Sequence, residues 1–272
     1  MNTNIILLVF TLCLILIILP LSSDAKNFDA TDLVIYYSFD ADSQSETDVL
    51  DESGNEYHGF LHGENLNIVE GKVNECIELP GAAAEYIAVR NLLYNEAIPE
   101  LSISVWIKTA QRGIIASWDR SEFFRFGAGD DQLGNTTFVA FDICCQPLSD
   151  WHGEIEVTDD VWHHVVVTFS AEAKRIYVDG ELDVEAVPLQ QAIGPKEPRF
   201  GFIGVGSEAP EFGGQPGPTT WPYKGLIDEF IMFHRALSEE EVMLLANAVG
   251  NPFAVEPVNK LSITWGEIKN TK

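Results

Sequence analysis

The sequence predicts an all-β fold: an antiparallel two-sheet sandwich carrying one short C-terminal helix. Three observations point there. From Leu33 onward the chain reads as many short strand-like runs separated by Gly, Pro, Asn and Asp clusters. Asp179-Gly180, lying between Ile176-Tyr177-Val178 and Leu182-Asp183-Val184, is a two-residue hairpin signal of the type I′ class. A chain of βαβ units would need several helices of roughly 10 to 15 residues, whereas a single helical pattern is visible, late in the chain.

The expected strands run Leu33–Phe39, Tyr57–His62, Glu75–Leu79, Glu85–Arg90, Ser102–Lys108, Gly113–Trp118, Glu122–Phe126 and Thr136–Ile143. They continue with Glu154–Val157, Trp162–Phe169, Lys174–Val178, Leu182–Ala186, Phe200–Val205 and Gly225–His234. Alternation is explicit around Leu101–Lys108, where Ile103, Val105 and Ile107 share one face and Ser102, Ser104, Trp106 and Lys108 the other. Val205 to Pro222 is rich in Gly and Pro and reads as a long loop.

The helix starts at Ser238, with Glu241 three positions on. This is a capping box, a hydroxyl and a carboxylate satisfying orphan N–H groups, with acidic charge favoured by the dipole. Val242, Leu245, Ala246 and Val249 recur at helical spacing before Gly250 and Pro252 end the run. The preceding strand, Leu226 to Phe233, is apolar except for Asp228 and Glu229, and an unpaired buried charge is costly. Strict alternation gives these two acids opposite faces, so at most one points inward.

At 272 residues the chain can bury a sizeable core. Sixteen basic against 42 acidic residues give a net charge of −26, which argues against nucleic acid as a partner and suits solubility or cation contacts. Ile5 to Leu19 is apolar apart from Thr11 and Cys13 and is followed by Ser22-Ser23-Asp24-Ala25, a small–x–small cleavage pattern. The expectation is a signal peptide over residues 1–25, a domain over 26–250 and a tail over 251–272. The run is shorter than the roughly 18 to 20 apolar residues a membrane span needs, so only an uncleaved segment would tie the chain to a membrane. The tail reads as a linker with a short strand at Leu261–Trp265, or as a docking segment. An exported chain can oxidise its thiols, and a bridge from Cys76 to Cys144 or Cys145 is expected, with one cysteine left over.

Several passages together resemble the laminin-G-like, concanavalin-A-like lectin/glucanase jelly-roll domains of exported bacterial proteins. They are Tyr37-Ser-Phe-Asp40, Asp51-Glu-Ser-Gly-Asn55 with His58-Gly59, Leu101-Ser-Ile-Ser-Val-Trp-Ile107 and Trp162-His-His-Val-Val-Val-Thr-Phe169. Ile176-Tyr-Val-Asp-Gly180, Gly225-Leu-Ile-Asp-Glu-Phe230 and Arg235-Ala-Leu-Ser-Glu-Glu240 complete the set, which covers nearly all of residues 32–247. The resemblance implies a jelly-roll sandwich whose first strand neighbours the Gly225–Phe233 strand. It also implies one structural calcium ion near those strands, held by Asp40 and Asp228, with Glu229 facing outward. Asp51, in a loop with oxygen donors at alternate positions, is the third candidate metal ligand, calcium taking six to eight oxygens.

Three further groups are candidates. Glu181-Leu-Asp-Val-Glu185 partly resembles the E-x-D-x-E signature of family-16 type glycosidases. On a regular strand Glu181, Asp183 and Glu185 would share a face, as a retaining enzyme requires; charged residues alternating with apolar ones are also what any half-solvated strand carries. Trp118, Trp151 and Trp221 sit beside polar or turn residues, where an aromatic face can stack on a sugar ring. His163 and His164, being neighbours on a strand, point to opposite faces and read as structural. The function expected is an exported, non-catalytic module at the cell surface or secreted, recognising carbohydrate or extracellular protein. The rivals are a glycosidase built on Glu181, Asp183 and Glu185, and an architectural surface protein.

Overall fold

The computed structural model describes residues 28–253 apart from 46, 131–133, 145–149, 195, 196, 207, 211 and 213–220. The expected signal segment, Cys145 and the tail beyond 253 lie outside the described residues. In chain order the strands are β1 Leu33–Tyr37, β2 Asp48–Val49, β3 Gly59–His62, β4 Asn67–Glu70, β5 Glu75–Pro80, β6 Tyr86–Tyr94, β7 Leu101–Lys108 and β8 Gly113–Ser117. Then follow β9 Phe124–Asp130, β10 Asn135–Ile143, β11 His152–Glu156, β12 Trp162–Phe169, β13 Lys174–Val178, β14 Glu181–Ala186, β15 Arg199–Ile203, β16 Lys224–Phe233 and the helix α1 Glu239–Ala246. The short β2 and β4 were not anticipated.

Two eight-stranded sheets face each other. The first runs β14-β13-β12-β7-β16-β5-β4, with β1 also paired to β16; the second runs β11-β10-β9-β8-β15-β6-β3-β2. All the named strand pairs are antiparallel. The long strand β16 serves β7 along one edge, β5 beside its first half and β1 beside its second. Ile103, Val105 and Ile107 of β7 enter the central core with Val165 and Val167 of β12 and Phe126 and Phe141 of the opposite sheet.

The other face of the first sheet is covered too. Tyr36, Val166, Tyr177, Ile231 and Phe233 pack there against Val242 and Leu245 of α1, each such buried side chain contributing about 1.5–3 kcal/mol. The helix is held at its start as expected: Ser238 accepts from Glu241 N at 3.3 Å while Ser238 N donates to Glu241 at 2.9 Å. Phe28 and Phe253, at the two ends of the described chain, meet edge to face at 5.5 Å over the same cluster.

At β16 the register against β7 shifts between Asp228 and Ile231, and Glu229 takes a left-handed φ of 50°. This bulge inserts one residue and breaks the period-two rule. Asp228 and Glu229 are therefore both buried, and the outward Glu229 implied by alternation is corrected. The hairpin at Asp179-Gly180 has φ values of 53° and 85°, as a type I′ turn requires. Cys76 is a buried free thiol, so the expected bridge to Cys144 or Cys145 does not form.

Candidate ligand-binding site

The outer face of the second sheet carries an unusual concentration of charge in the middle of apolar strands. On β9, Phe124, Phe126 and Ala128 point into the core, which turns Arg125 outward; on β10, Val139, Phe141 and Ile143 do the same for Asp142. The register sets Arg125 directly opposite Asp142. Arg125 donates to Asp142 from Nε at 3.1 Å and Nη2 at 2.7 Å, and from Nη2 to Asp130 at 2.5 Å. Burial first, then a hydrogen bond with Asp130, push the Asp142 carboxyl up to about 8. At neutral pH Asp142 is thus largely protonated, and one guanidinium holds a carboxyl pair that shares a proton.

Over this clamp lies Trp221. Its ring centroid is 4.3 Å from the Arg125 guanidinium carbon, a cation–π stack that fixes the plane of the indole. Trp221 and the residue after it are tied to β8, Ile114 N donating to Trp221 O at 2.9 Å and Pro222 bridging Ile114 in parallel. Trp221 is half-buried and has φ of 37°. A left-handed conformation is costly for a bulky residue and is held only by its surroundings.

A rim of polar groups surrounds Asp142. Arg120 grips Asp150 with Nε at 2.8 Å and Nη2 at 2.7 Å, both side chains close to one-fifth exposed. Trp151 N donates to Asp142 Oδ1 at 3.3 Å, and its ring turns over the sheet edge onto Lys174, whose ammonium lies 4.6 Å from the ring centre. Burial holds Lys174 down at about 8 against the pull of Asp142 and Asp150. Further across the same face Phe212 packs on Phe60 and Phe200, with Arg90 over the Phe60 and Phe212 rings.

Of the three tryptophans expected at a ligand surface, Trp221 brings its ring to the clamp, Trp151 reaches it through its backbone N–H while its ring packs on the central core, and Trp118 does neither. Trp118 is fully buried, 5.5 Å from Tyr94 and 5.3 Å from Phe124. A Cβ at Gly201 would fall 2.0 Å from its ring, so that strand must run past it bare. Arg125, Asp130 and Asp142 were missed by sequence reasoning, although Phe-Phe-Arg-Phe and Ala-Phe-Asp-Ile carried the same signal as Asp228: one charge in an apolar strand.

The expected metal ligands are brought only partly together. Asp228 Oδ2 accepts from Lys72 N and Val73 N at 2.8 and 2.9 Å, while Asp40 accepts from Asn74 Nδ2 at 3.0 Å and Glu75 N at 3.3 Å on the same turn. Oδ1 of Asp228 is buried without a partner. Asp51 is taken up elsewhere by Tyr36 N, Ser53 N, Ser53 Oγ and Tyr57 N. Among the described residues no three His, Cys, Asp or Glu side chains stand together as a metal group. Burial raises Asp228 to about 7 and Glu229, which accepts from the Tyr36 hydroxyl at 2.9 Å, to about 8.

The three carboxylates proposed for glycosidase chemistry are separated by a second bulge. The register of β14 on β13 shifts between the partners of Ile176 and Tyr177, which leaves Asp183 out of the ladder. Asp183 accepts from Glu154 N and Ile155 N of β11, joining the two sheets at their edge, while Glu185 pairs with Arg175 and Glu181 is exposed. His163 lies between Asp179 and Asp159, and His164 Nε2 meets Ser104 Oγ at 2.8 Å in the first sheet.

Residues 81–243 match the family described as the concanavalin A-like lectin/glucanases superfamily. Over 94 residues, 34% of the chain, the sequence is 32% identical to the Mus musculus sushi, von Willebrand factor type A, EGF and pentraxin domain-containing protein 1, of which it spans 3%. Among solved structures it superposes on the binding domain of Paraclostridial Mosquitocidal Protein 1, with a TM-score of 0.59 and 16% identity over 80% of this chain and 52% of that one. Domain 4 of AbnA, an extracellular GH43 arabinanase from Geobacillus stearothermophilus, in complex with arabinotriose, gives 0.55 and 21% identity over 79% and 98%. The binding domain of botulinum neurotoxin DC in complex with rat synaptotagmin II gives 0.57 and 14% over 81% and 52%. The chain thus spans about half the length of the toxin chains, and at these identities the likeness is one of fold.

Proposed function

From the premise that this chain belongs to the concanavalin A-like lectin/glucanases superfamily, we propose that it is an exported carbohydrate-binding module whose platform is Trp221. The observation that carries the reading is the stack of Trp221 on Arg125, itself gripped by Asp130 and Asp142. A sugar ring lies with its C–H face on the indole, and Arg120 and Asp150 at the rim exchange hydrogen bonds with its hydroxyls. Because the clamp is in place before binding, little freedom is lost when the sugar arrives. The arabinotriose complex of the AbnA domain supports this choice of ligand class.

Catalysis is not part of the reading, since Asp183 and Glu185 are occupied by other partners. Nor is calcium, since the oxygens of Asp40, Asp51 and Asp228, apart from one, already accept from protein donors. A protein ligand is the second reading, favoured by the exposed Phe212 beside Phe60 and Phe200.

A panel of plant and bacterial polysaccharides, assayed by affinity electrophoresis and calorimetry, tests the first. Trp221→Ala should weaken binding by roughly thirty-fold, the scale of a 2 kcal/mol hot spot, at an unchanged melting temperature. Binding with chelator should equal binding with calcium. Equal affinity of wild type and Trp221→Ala would remove the platform from the reading.

A further inference from the structure

We propose that the glycans taken at this site are uncharged, and that the site selects against uronate, sialate and sulfate groups. The inference rests on the carbohydrate reading above and concerns the chemistry of the ligand. It follows from how the cations around Trp221 are spent. Arg125 gives its Nε and Nη2 to Asp142 and Asp130. Arg120 gives the same two nitrogens to Asp150 as a two-pronged fork. Lys174 is buried beneath Trp151 and feels both Asp142 and Asp150. Behind the rim, Arg199 is paired with Asp119 at 2.9 Å and stands 3.7 Å from Glu122.

Each of these cations already faces at least one carboxyl group. An anionic sugar entering here would have to dismantle a fork or settle beside Asp150, and it would approach a chain carrying a net −26. A hydroxyl meets no such barrier. It can donate to a lone pair that Asp150 has left and accept from Nη1 of Arg120, which the fork to Asp150 leaves out. The matched pairs thus act as a neutral hydrogen-bonding rim around an aromatic floor, and discrimination comes from the charges an acidic ligand would meet.

The experiment compares sugars that differ by one charge: lactose with sialyllactose, and galactan with galacturonan fragments of equal length. Calorimetry is run in about 20 mM and about 300 mM salt, since screening separates charge effects from stacking. Neutral members should bind with affinities that change less than about two-fold with salt, and each added carboxylate should weaken binding by about ten-fold or more at low salt. Asp150→Asn should narrow that gap to within roughly three-fold, because it removes a carboxylate at the rim. Tighter binding of the acidic member of each pair, or a gap that Asp150→Asn leaves intact, overturns the inference while the carbohydrate reading stands. Failure of every sugar, neutral or acidic, overturns both.

Discussion

Asp142, Asp228 and Glu229 are three carboxyl groups that burial pushes up to about 8, 7 and 8. In the unfolded chain each would ionise near pH 4. Between pH 4 and 8 the folded protein therefore binds more protons than the unfolded one, and stability falls as pH rises through that window. His164 and His234 work the other way: burial holds the first down at about 3 and lowers the second, so the stability they contribute is lost as pH falls below their ordinary 6.5. Three groups outweigh two. Below pH 4, carboxylates held low by their partners, such as Glu241 by Arg235 and Ser238, lose their contribution as well. Melting temperature should peak near pH 4 to 5 and decline toward pH 8, and Glu229→Gln should flatten the decline. A melting temperature that climbs steadily from pH 5 to 8 would contradict the assignment of these protons.

At the scale of elements, legibility tracked how local the cause was. The helix was readable because Ser238, Glu241 and the apolar spacing lie within a few residues of one another, and Ser238→Ala should cost about 1 kcal/mol in a denaturant titration. A cost near zero would mean that the packing of Val242 and Leu245 alone holds the helix. The hairpin at Asp179-Gly180 was equally local. The bulges were not, because nothing in Ile-Asp-Glu-Phe or Leu-Asp-Val announces an extra residue; the register is chosen by the partner strands. One slipped residue moves every later side chain to the other face. That slip buries Glu229 where alternation turned it outward, and it takes Asp183 out of line with Glu181 and Glu185. Trp118 and Trp221 show the same limit. Both stand next to polar or turn residues in sequence, yet only the opposing Gly201 and Arg125, some 80 and 96 positions away in the chain, decide that one is core and the other surface.

At the scale of the molecule, the pairing of β1 with β16 joins Leu33 to Phe233, and the aromatic contact of Phe28 with Phe253 brings the described ends to one spot. Such a layout makes the domain a cassette: it leaves its surroundings where it entered them, so it can be inserted into a loop of a larger protein without stretching the host. A circular permutant follows directly. Joining residues 28 and 253 through a short Gly/Ser linker and reopening the chain at the Asp179-Gly180 turn should give a protein with the parental circular dichroism spectrum. Loss of the β signature in that permutant would mean that the β13–β14 hairpin must form early, from one continuous piece of chain.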